Sequence, residues 1–486
     1  MRTRRPDLPS ARLLNREALA GVLTALALIP EVISFSVIAG VDPRSALLAS
    51  VVLTISMSFL GGRSAMVTAA AGSVALVVAP LVSSEGVEYL LPAILLAGAI
   101  QILCGVTGLA QLMRFVPRSV TIGFVNALGV LIFVAQVQHV VDVPWQVYPL
   151  FALTVLVVLL LPRVTQVVPA PLVAIVLVTA VVVITGLDVP DVGDQGDLSG
   201  GLPGLTPFDV PFTLDTLQVI WPTALSVAFV GLLETLLTAR VVDDLTDTRS
   251  NKTRESWALG VANVLAGFWG GIAGCAMIGQ SIVNVKLGGA RTRISTLVTG
   301  VFLLLFITAL SAVMALVPMV ALAAVMMIVA VNTVSWHSLR PATLRRMPVS
   351  ETAVMAATIA TVVATENLAI GVAVGVVLAL MLFARRVAHV SDVHRTLDAD
   401  GSVAHYRITG PLFFASSSGL ADRFSYDEDP ATVVIELSEA QVWDASSVAT
   451  LDAIQAKYAG RGIATTITGL DGRSTTFHGR LSGHLP

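Results

Sequence analysis

Two glutamates each stand alone inside a long apolar run. Glu31 lies in LALIPEVISFS, and Glu234 lies in FVGLLETLLTA. A carboxylate surrounded by hydrocarbon is costly as an ion, so such residues usually face a polar cavity and exchange a proton or hold a cation. We expect both side chains to bind a coupling ion, either a proton or sodium. A structural hydrogen bond to a neighbouring helix is the alternative.

Each half of the chain also contains a short apolar segment that is rich in small residues and follows a pair of glycines. These segments read GGRSAMVTAAAGS, ending at Ser73, and GGIAGCAMIGQS, ending at Ser281. Close helix packing through small residues is one interpretation. The other is a pair of opposed half-helices whose N–H groups and dipoles attract an anion. The binding residues would then be Thr68, Ala69, Ala70, Ala71, Gly72, Ser73, Gly274, Cys275, Ala276, Met277, Ile278, Gly279 and Gln280.

The composition places the chain in a lipid bilayer. Of 486 residues, 55% are hydrophobic and 13% are charged, about half the charged fraction of a soluble domain. Apolar runs near 20 residues long, enough to cross a bilayer, recur as far as residue 384. We predict fourteen spans, near residues 18–39, 45–60, 65–82, 93–112, 119–137, 149–161, 169–187, 217–239, 255–270, 275–285, 294–314, 320–334, 349–365 and 368–384.

The loop charges support this count, because Arg and Lys accumulate in every second loop and such loops face the cytoplasm. Both termini are therefore expected inside. The predicted organisation is a cytoplasmic segment (1–17), a membrane domain (18–386) and a cytoplasmic domain (387–486). The membrane domain divides into repeats 18–187 and 217–384, joined by an acidic linker at 188–216. Repeats of seven spans insert with opposite orientations, which predicts an inverted repeat. The net charge of −3 argues against a nucleic-acid partner.

The last hundred residues have the alternating pattern of a small α/β domain. Strand-like stretches occur at 403–409, at 432–438 and from residue 463, and a helix is predicted near 447–458. The helix follows the turn VWDASSVATLDAI, which contains Asp444, Ser446 and Ser447.

These stretches resemble the SulP family of anion transporters, which includes sulfate permeases, pendrin and prestin. The resemblance covers nearly the whole chain and is most specific in GFVNALGVLIFVAQ, LLETLLTARVVDD, NKTRES, GGIAGCAMIGQSIVNVKLGG and YRITGPLFFASS. It indicates the prokaryotic branch and hence a bacterial inner membrane. It implies a seven-plus-seven inverted repeat with core and gate subdomains, an elevator-like transport movement, a homodimer and a C-terminal STAS domain.

Two positions depart from patterns in these families. Many animal relatives have Ser-Arg where Gly279 and Gln280 stand, so a fixed positive charge is absent here. In related STAS domains a phosphorylatable serine follows the turn aspartate, whereas Ala445 follows Asp444. We therefore expect no phosphorylation at Ala445 itself, with Ser446 or Ser447 as substitutes for the missing serine, and expect the domain to make a dimer or cytoplasmic protein contact.

The predicted function is secondary active transport of a small anion, such as a dicarboxylate like fumarate, bicarbonate or sulfate, by proton symport. Sodium-coupled symport and anion exchange are alternatives within the same fold. A nucleobase permease and a membrane-anchored STAS signalling protein are alternatives of other classes. We expect no enzymatic activity, no catalytic residues, no metal site and no cofactor besides the coupling ion, because the soluble part has neither a nucleophile paired with a base nor a nucleotide-binding glycine loop.

Overall fold

The computed structural model describes residues 11–165, 168–195, 203–211, 213–388, 390–417 and 419–484. Part of the predicted N-terminal segment and part of the predicted linker lie outside these residues. The chain divides into two compact units, Met1–Val376 and Val377–Pro486. The domain boundary predicted at residue 386 stays a prediction.

Among its described residues, the first half of the N-terminal unit contains seven α-helices. Local sequence explains several of the ends; Asp42, for example, caps the second helix by accepting hydrogen bonds from the N–H groups of Arg44 and Ser45, and Pro43 occupies the first helical position. The helices are α1 (Ala11–Ala39), α2 (Pro43–Leu60), α3 (Gly72–Glu85), α4 (Leu90–Val106), α5 (Arg118–Val137), α6 (Val147–Val164) and α7 (Ala170–Thr185).

The second half repeats this order with two short additions. The additions, α13 and α14, lie between the predicted twelfth and thirteenth spans, and the sequence did not predict them. The helices are α8 (Leu214–Thr246), α9 (Lys252–Gly267), α10 (Ile278–Ile282), α11 (Arg293–Ala315), α12 (Met319–Thr333), α13 (Trp336–Leu339), α14 (Pro341–Arg346), α15 (Val349–Thr365) and α16 (Leu368–Ala388).

The helices pack as two bundles with matching contacts in the two repeats. The core bundle consists of α1–α4 and α8–α11. In it, α11 packs against α1 and α2 of the first repeat, and α4 packs against α8 and α9, the equivalent helices of the second repeat. In the gate bundle (α5–α7, α12 and α15), α5 packs against α12 and α15. This exchange of equivalent contacts is what a twofold relation between repeats produces, and it agrees with the predicted core and gate.

The predicted third and tenth spans are not continuous helices. Each begins with a three-residue strand, β1 (Thr68–Ala70) and β2 (Gly274–Ala276), and the two strands pair antiparallel with Ala69 opposite Cys275. The half-helices α3 and α10 begin only afterwards, and α10 continues as a π-helical turn, Val283–Leu287. The reason is that backbone away from water must form hydrogen bonds, and two extended segments of small residues satisfy each other. Antiparallel pairing of equivalent strands also agrees with inversion of the repeats.

Each of the other predicted spans contains a helix; α15 has the predicted ends, and the others have shifted ends. The largest shifts are of seven residues: α1 begins at Ala11, before the predicted start at 18, and α8 continues beyond the predicted end at 239 to Thr246, as a charged extension. Among the described residues, seven helices are long and apolar enough to cross a membrane, and five shorter apolar helices accompany them. The protein is thus a helical membrane protein, while the number of fourteen crossings stays a prediction.

The C-terminal unit is an α/β domain whose four-stranded sheet has the order β3 (Asp392–Leu397), β4 (Val403–Leu412), β5 (Thr432–Val442) and β6 (Ala464–Thr468). The strands β4, β5 and β6 correspond to the three predicted strand-like stretches and are parallel, and β3 is an antiparallel edge strand that the sequence did not predict. Tyr406, Leu437, Leu451 and Tyr458 lie in the buried core. The same unit contains the helices α17 (Phe414–Ser417), α18 (Ala445–Ala459) and α19 (Gly472–Leu481).

A buried carboxylate links the core of this domain to the loop before β5. The Asp429 side chain is fully buried and accepts hydrogen bonds from the hydroxyls of Tyr406 and Tyr458, at 2.7 and 2.5 Å, and from Nε of Arg395 at 2.8 Å. Burial and the Asp429 contact raise the pKa of Tyr458, so its hydroxyl remains a donor. These bonds satisfy polar groups that would otherwise be buried without partners.

Replacing Asp429 with alanine is expected to destabilise the C-terminal domain by about 3 kcal/mol, because two buried hydroxyls and a guanidinium lose their acceptor. Hydrogen exchange of the β4 and β5 amides in the full chain measures this change. Asp427→Ala is the matched control, since Asp427 is 88% exposed and its one ion pair within the described residues is with the exposed Arg461; almost no change is expected there. Equal effects of the two substitutions would contradict a structural role for the buried carboxylate.

Candidate functional site

The N-termini of the two half-helices carry no side-chain caps. The backbone is extended at Ala71, before α3, and at Met277, before α10, and neither helix start receives a side-chain hydrogen bond. The first N–H groups of a helix have no partner within the helix. Both ends can therefore direct N–H groups and the positive end of a helix dipole at an anion.

The short sheet that precedes the half-helices is held by polar side chains of the surrounding helices. From α2, Thr54 Oγ1 donates to the carbonyl of Thr68, and Ser50 Oγ accepts from the N–H of Ala70. In the second repeat, polar side chains of α8 and α9 make the equivalent bonds: Asn263 Oδ1 accepts from Gly274 N–H at 2.7 Å, Thr235 Oγ1 accepts from Ala276 N–H, and Thr238 Oγ1 donates to Ala276 O. The sequence signal for these residues was only a hydroxyl or amide within an apolar span.

Contacts between the repeats complete this framework. The N–H of Val67 donates to Ser281 Oγ at 3.0 Å, and the N–H of Met277 donates to the carbonyl of Val67 at 2.9 Å. Asn284 Nδ2 donates to the carbonyl of Ala65. The two half-helix starts are thus fixed to each other as well as to their own repeats.

A cavity of about 150 Å³ lies at the two half-helix starts. At about 30 Å³ per water, it has room for roughly five water molecules. Seven predicted binding residues line it, namely Ala71, Gly72, Ser73, Met277, Ile278, Gly279 and Gln280. The other predicted binding residues do not line it, because they form the buried strands β1 and β2: Thr68, Ala69, Ala70, Gly274, Cys275 and Ala276.

Both glutamates line the same cavity, and each contacts the half-helix of the opposite repeat. Glu31, on α1, lies beside the side chain of Gln280 on α10, and both line the cavity. Glu234, on α8, accepts a hydrogen bond from Ser73 Oγ on α3 and a second from Cys275 Sγ at 3.1 Å. We call the Glu31–Gln280 and Glu234–Ser73 contacts the crosswise contacts. They connect each carboxylate to the end of a half-helix where an anion would bind.

The opposite wall of the cavity comes from the gate bundle and is almost entirely apolar. On α5 it consists of Phe124, Val125, Leu128 and Ile132, and on α12 of Val329 and Thr333. Thr333 is the one polar side chain among these gate residues. The sequence did not indicate this wall, although part of it lies in the motif GFVNALGVLIFVAQ.

The cavity continues toward one end of the N-terminal unit. It shares Glu31, Gly279 and Gln280 with a second cavity of about 550 Å³. This second cavity shares Leu23 and Leu287 with a third, of about 850 Å³, which reaches Arg12 and Arg16 near the start of α1. The cavities thus follow one another from the half-helix starts to the arginine-rich end of α1.

The predicted regulatory residues lie at the start of α18 in the C-terminal domain. Asp444 caps this helix by accepting hydrogen bonds from the N–H and the hydroxyl of Ser447, at 3.0 and 2.8 Å. Ser447 is fully buried, whereas Ser446 is exposed. Of the two serines, Ser446 is therefore the one accessible to a modifying enzyme.

Within the described part of the chain, no group of three or more His, Cys, Asp or Glu residues is arranged to hold a metal ion. Inverted repeats whose interrupted segments direct half-helix N-termini at a cavity within a membrane bundle are characteristic of secondary transporters. The fold and the site place this protein in that class.

The comparisons with known proteins identify the family. Residues 14–147 and 143–358 match the model of the sulfate permease family, and residues 394–476 match the STAS domain. The chain is 47% identical over 458 residues to "Putative sulfate transporter YbaR" of Bacillus subtilis, covering 94% of this chain and 95% of that protein. The protein belongs to the sulfate permease family of anion transporters and has a C-terminal STAS domain.

More distant relatives share the fold over nearly the whole chain. The bicarbonate transporter BicA of Synechocystis is 25% identical over 510 residues, covering 95% of this chain and 89% of that protein. The structure of the murine anion transporter Slc26a9 in the inward-facing state has a TM-score of 0.84 at 15% identity, and covers 98% of this chain and 88% of that one. These matches confirm the predicted family and fold class, and also the prediction of a transporter rather than an enzyme.

Proposed function

We propose that the protein is a secondary active transporter that takes up a small anion together with protons. The anion binds between the N-termini of α3 and α10, and Glu31 and Glu234 together carry the coupling proton. The observation that supports this proposal best is the pair of crosswise contacts at one cavity. The substrate is a dicarboxylate such as fumarate, bicarbonate or sulfate, all of which suit a cavity of about 150 Å³.

The charges around the cavity explain why an anion and a proton would bind together. The described residues that line it include two carboxylates and no Lys, Arg or His. Two like unit charges about 5 Å apart repel by about 3 kcal/mol at an effective dielectric constant of about 20, which corresponds to roughly a 100-fold change in affinity. Protonating a carboxylate removes this repulsion. Anion binding therefore favours proton binding, and by linkage the reverse also holds.

The distribution of polar groups supports an elevator movement of the core bundle against the gate bundle. Both half-helix ends and both glutamates belong to the core bundle, whereas the gate contributes Thr333 and apolar side chains. The hydrogen bonds around β1 and β2 join the two half-helices into one body. An anion held by the core would therefore move with it along a wall that offers little attraction of its own.

The arrangement in the cell follows from the sequence and the family. We propose a multi-pass protein of the bacterial inner membrane with both termini in the cytoplasm, as the loop arginines favour. A homodimer and a cytoplasmic protein partner at the STAS domain are part of the same proposal.

The test is uptake of labelled fumarate, bicarbonate and sulfate into proteoliposomes under an inward proton gradient or an inward sodium gradient. Proton-driven uptake of one of these anions is the expected result. Uptake that follows only the sodium gradient would show that sodium, and not the proton, is the coupling ion. Electrogenic chloride exchange without any response to a pH gradient would overturn the proposal.

A further inference from the structure

A separate cavity of about 630 Å³ lies where α8 leads into the hairpin before α9. One wall is apolar and includes Leu233, Leu236 and Leu237, all on α8. The mouth carries three cationic residues, Arg240, Arg249 and Lys252. A single cavity thus presents apolar side chains along one wall and positive charge at its mouth.

Among the described residues, two of these three cations have no partner. Lys252 Nζ lies 2.7 Å from Asp243 Oδ2, and Arg63 pairs with the same aspartate. Within the part of the chain that the structure describes, the side chains of Arg240 and Arg249 form no hydrogen bond or ion pair, and both residues are exposed. No Asp or Glu is among the residues that line the cavity. The unpaired guanidiniums give the mouth a net positive charge suited to a phosphate group.

The position of the cavity along α8 indicates where such a phosphate would come from. The helix changes from a mainly apolar stretch that includes Leu233, Leu236 and Leu237 to a charged stretch that starts at Arg240, a change typical of the boundary between hydrocarbon and headgroups. Leu233 and Leu236 are buried and Leu237 is half-buried, so the apolar wall offers an acyl chain a short contact at Leu237. A phospholipid at this boundary would place its phosphate at the arginines and the start of an acyl chain at Leu237.

We propose that this cavity binds an anionic phospholipid, with Arg240 and Arg249 holding the headgroup. Leu237 also lines the anion cavity at the half-helices. The bound lipid would therefore touch the outer side of a residue that forms the wall of the transport site. Through this contact, the lipid composition of the membrane would affect the transport site.

The test measures thermal stabilisation of the purified full-length protein in neutral detergent by phosphatidylglycerol, phosphatidylcholine or inorganic phosphate. We expect stabilisation by phosphatidylglycerol alone. The double variant R240Q/R249Q should bind it about 30-fold more weakly, since each basic residue near an anionic headgroup contributes about a sixfold change in affinity. R345Q/R346Q is the matched control, because Arg345 and Arg346 are exposed arginines of α14 away from the cavity, and it should behave like the wild type.

Three results would overturn the proposal. Equal stabilisation by phosphatidylglycerol and phosphatidylcholine would mean that the arginines do not select a charged headgroup. Stabilisation by inorganic phosphate to the same extent would indicate a site for a free anion. Unchanged phosphatidylglycerol binding by R240Q/R249Q would locate the lipid elsewhere. The two comparisons between ligands use wild-type protein, so they remain decisive if the double variant is poorly recovered.

Discussion

Replacing Glu234 with glutamine is expected to abolish proton-driven accumulation of the anion while exchange of labelled for unlabelled anion continues. Glutamine has the shape of a protonated glutamate and can still accept the hydrogen bonds from Ser73 and Cys275, but it cannot release a proton. Exchange needs no such release, because the carrier returns with an anion bound. Accumulation needs it, because the empty carrier must return without the proton.

The size of the effect follows from the gradient. A difference of one pH unit is worth about 1.4 kcal/mol per proton, so one coupled proton supports about tenfold accumulation. We expect this ratio to fall to about one in E234Q. The measurement is the steady-state level of labelled anion in proteoliposomes, with exchange measured in the same preparation to show that the variant is folded and binds its substrate.

Glu31→Gln should have the same effect, because the Glu31–Gln280 contact is the counterpart of the Glu234–Ser73 contact. Glu351→Gln is the control, since Glu351 is an exposed residue in the first turn of α15 and does not line the cavity. If only one of the two cavity variants loses accumulation, that residue alone carries the proton. If both accumulate the anion like the wild type, coupling through these carboxylates is wrong.

Replacing Gly274 with alanine is expected to disrupt the sheet between the half-helices and with it both folding and transport. A Cβ atom at this position would lie 2.3 Å from the carbonyl oxygen of Ala69 and 2.4 Å from Cδ1 of Leu53. This oxygen belongs to the backbone of the paired strand, so it cannot move without breaking the β1–β2 pairing. We expect a destabilisation of about 3 kcal/mol or more, at the upper end of overpacking effects.

Gly279→Ala provides the matched control in the same segment. No atom lies within 4 Å of a Cβ built at Gly279, so alanine fits, and it favours the helix by up to about 1 kcal/mol relative to glycine. Thermal unfolding of the detergent-purified proteins should give a strongly lowered midpoint for G274A and an unchanged or slightly raised one for G279A. A normal midpoint and normal uptake in G274A would contradict the view that the sheet fixes the two half-helices.

The gate wall illustrates a limit of sequence reasoning in a membrane protein. Phe124, Leu128 and Val329 line the cavity, yet their sequence context is that of side chains that face lipid. Lipid and a dry protein wall are equally apolar, so hydropathy does not distinguish a residue beside the substrate from one beside an acyl chain. Only packing between bundles assigns these residues to the site.

The amino-acid sequence by itself identifies features that differ from the hydropathy pattern of the residues around them. Glu31 and Glu234 stand out because an isolated carboxylate is costly in hydrocarbon, and the C-terminal α/β domain stands out because its apolar pattern changes from continuous to alternating. The conformation at Thr68–Ala70 and Gly274–Ala276 had no such local cause. Small residues adopt helical and extended backbone conformations almost equally well. Each segment forms a strand because its hydrogen-bonding partner belongs to the other repeat, about 200 residues away in the chain. The tertiary fold likewise determined the crosswise contacts, since they exist only where the two repeats meet.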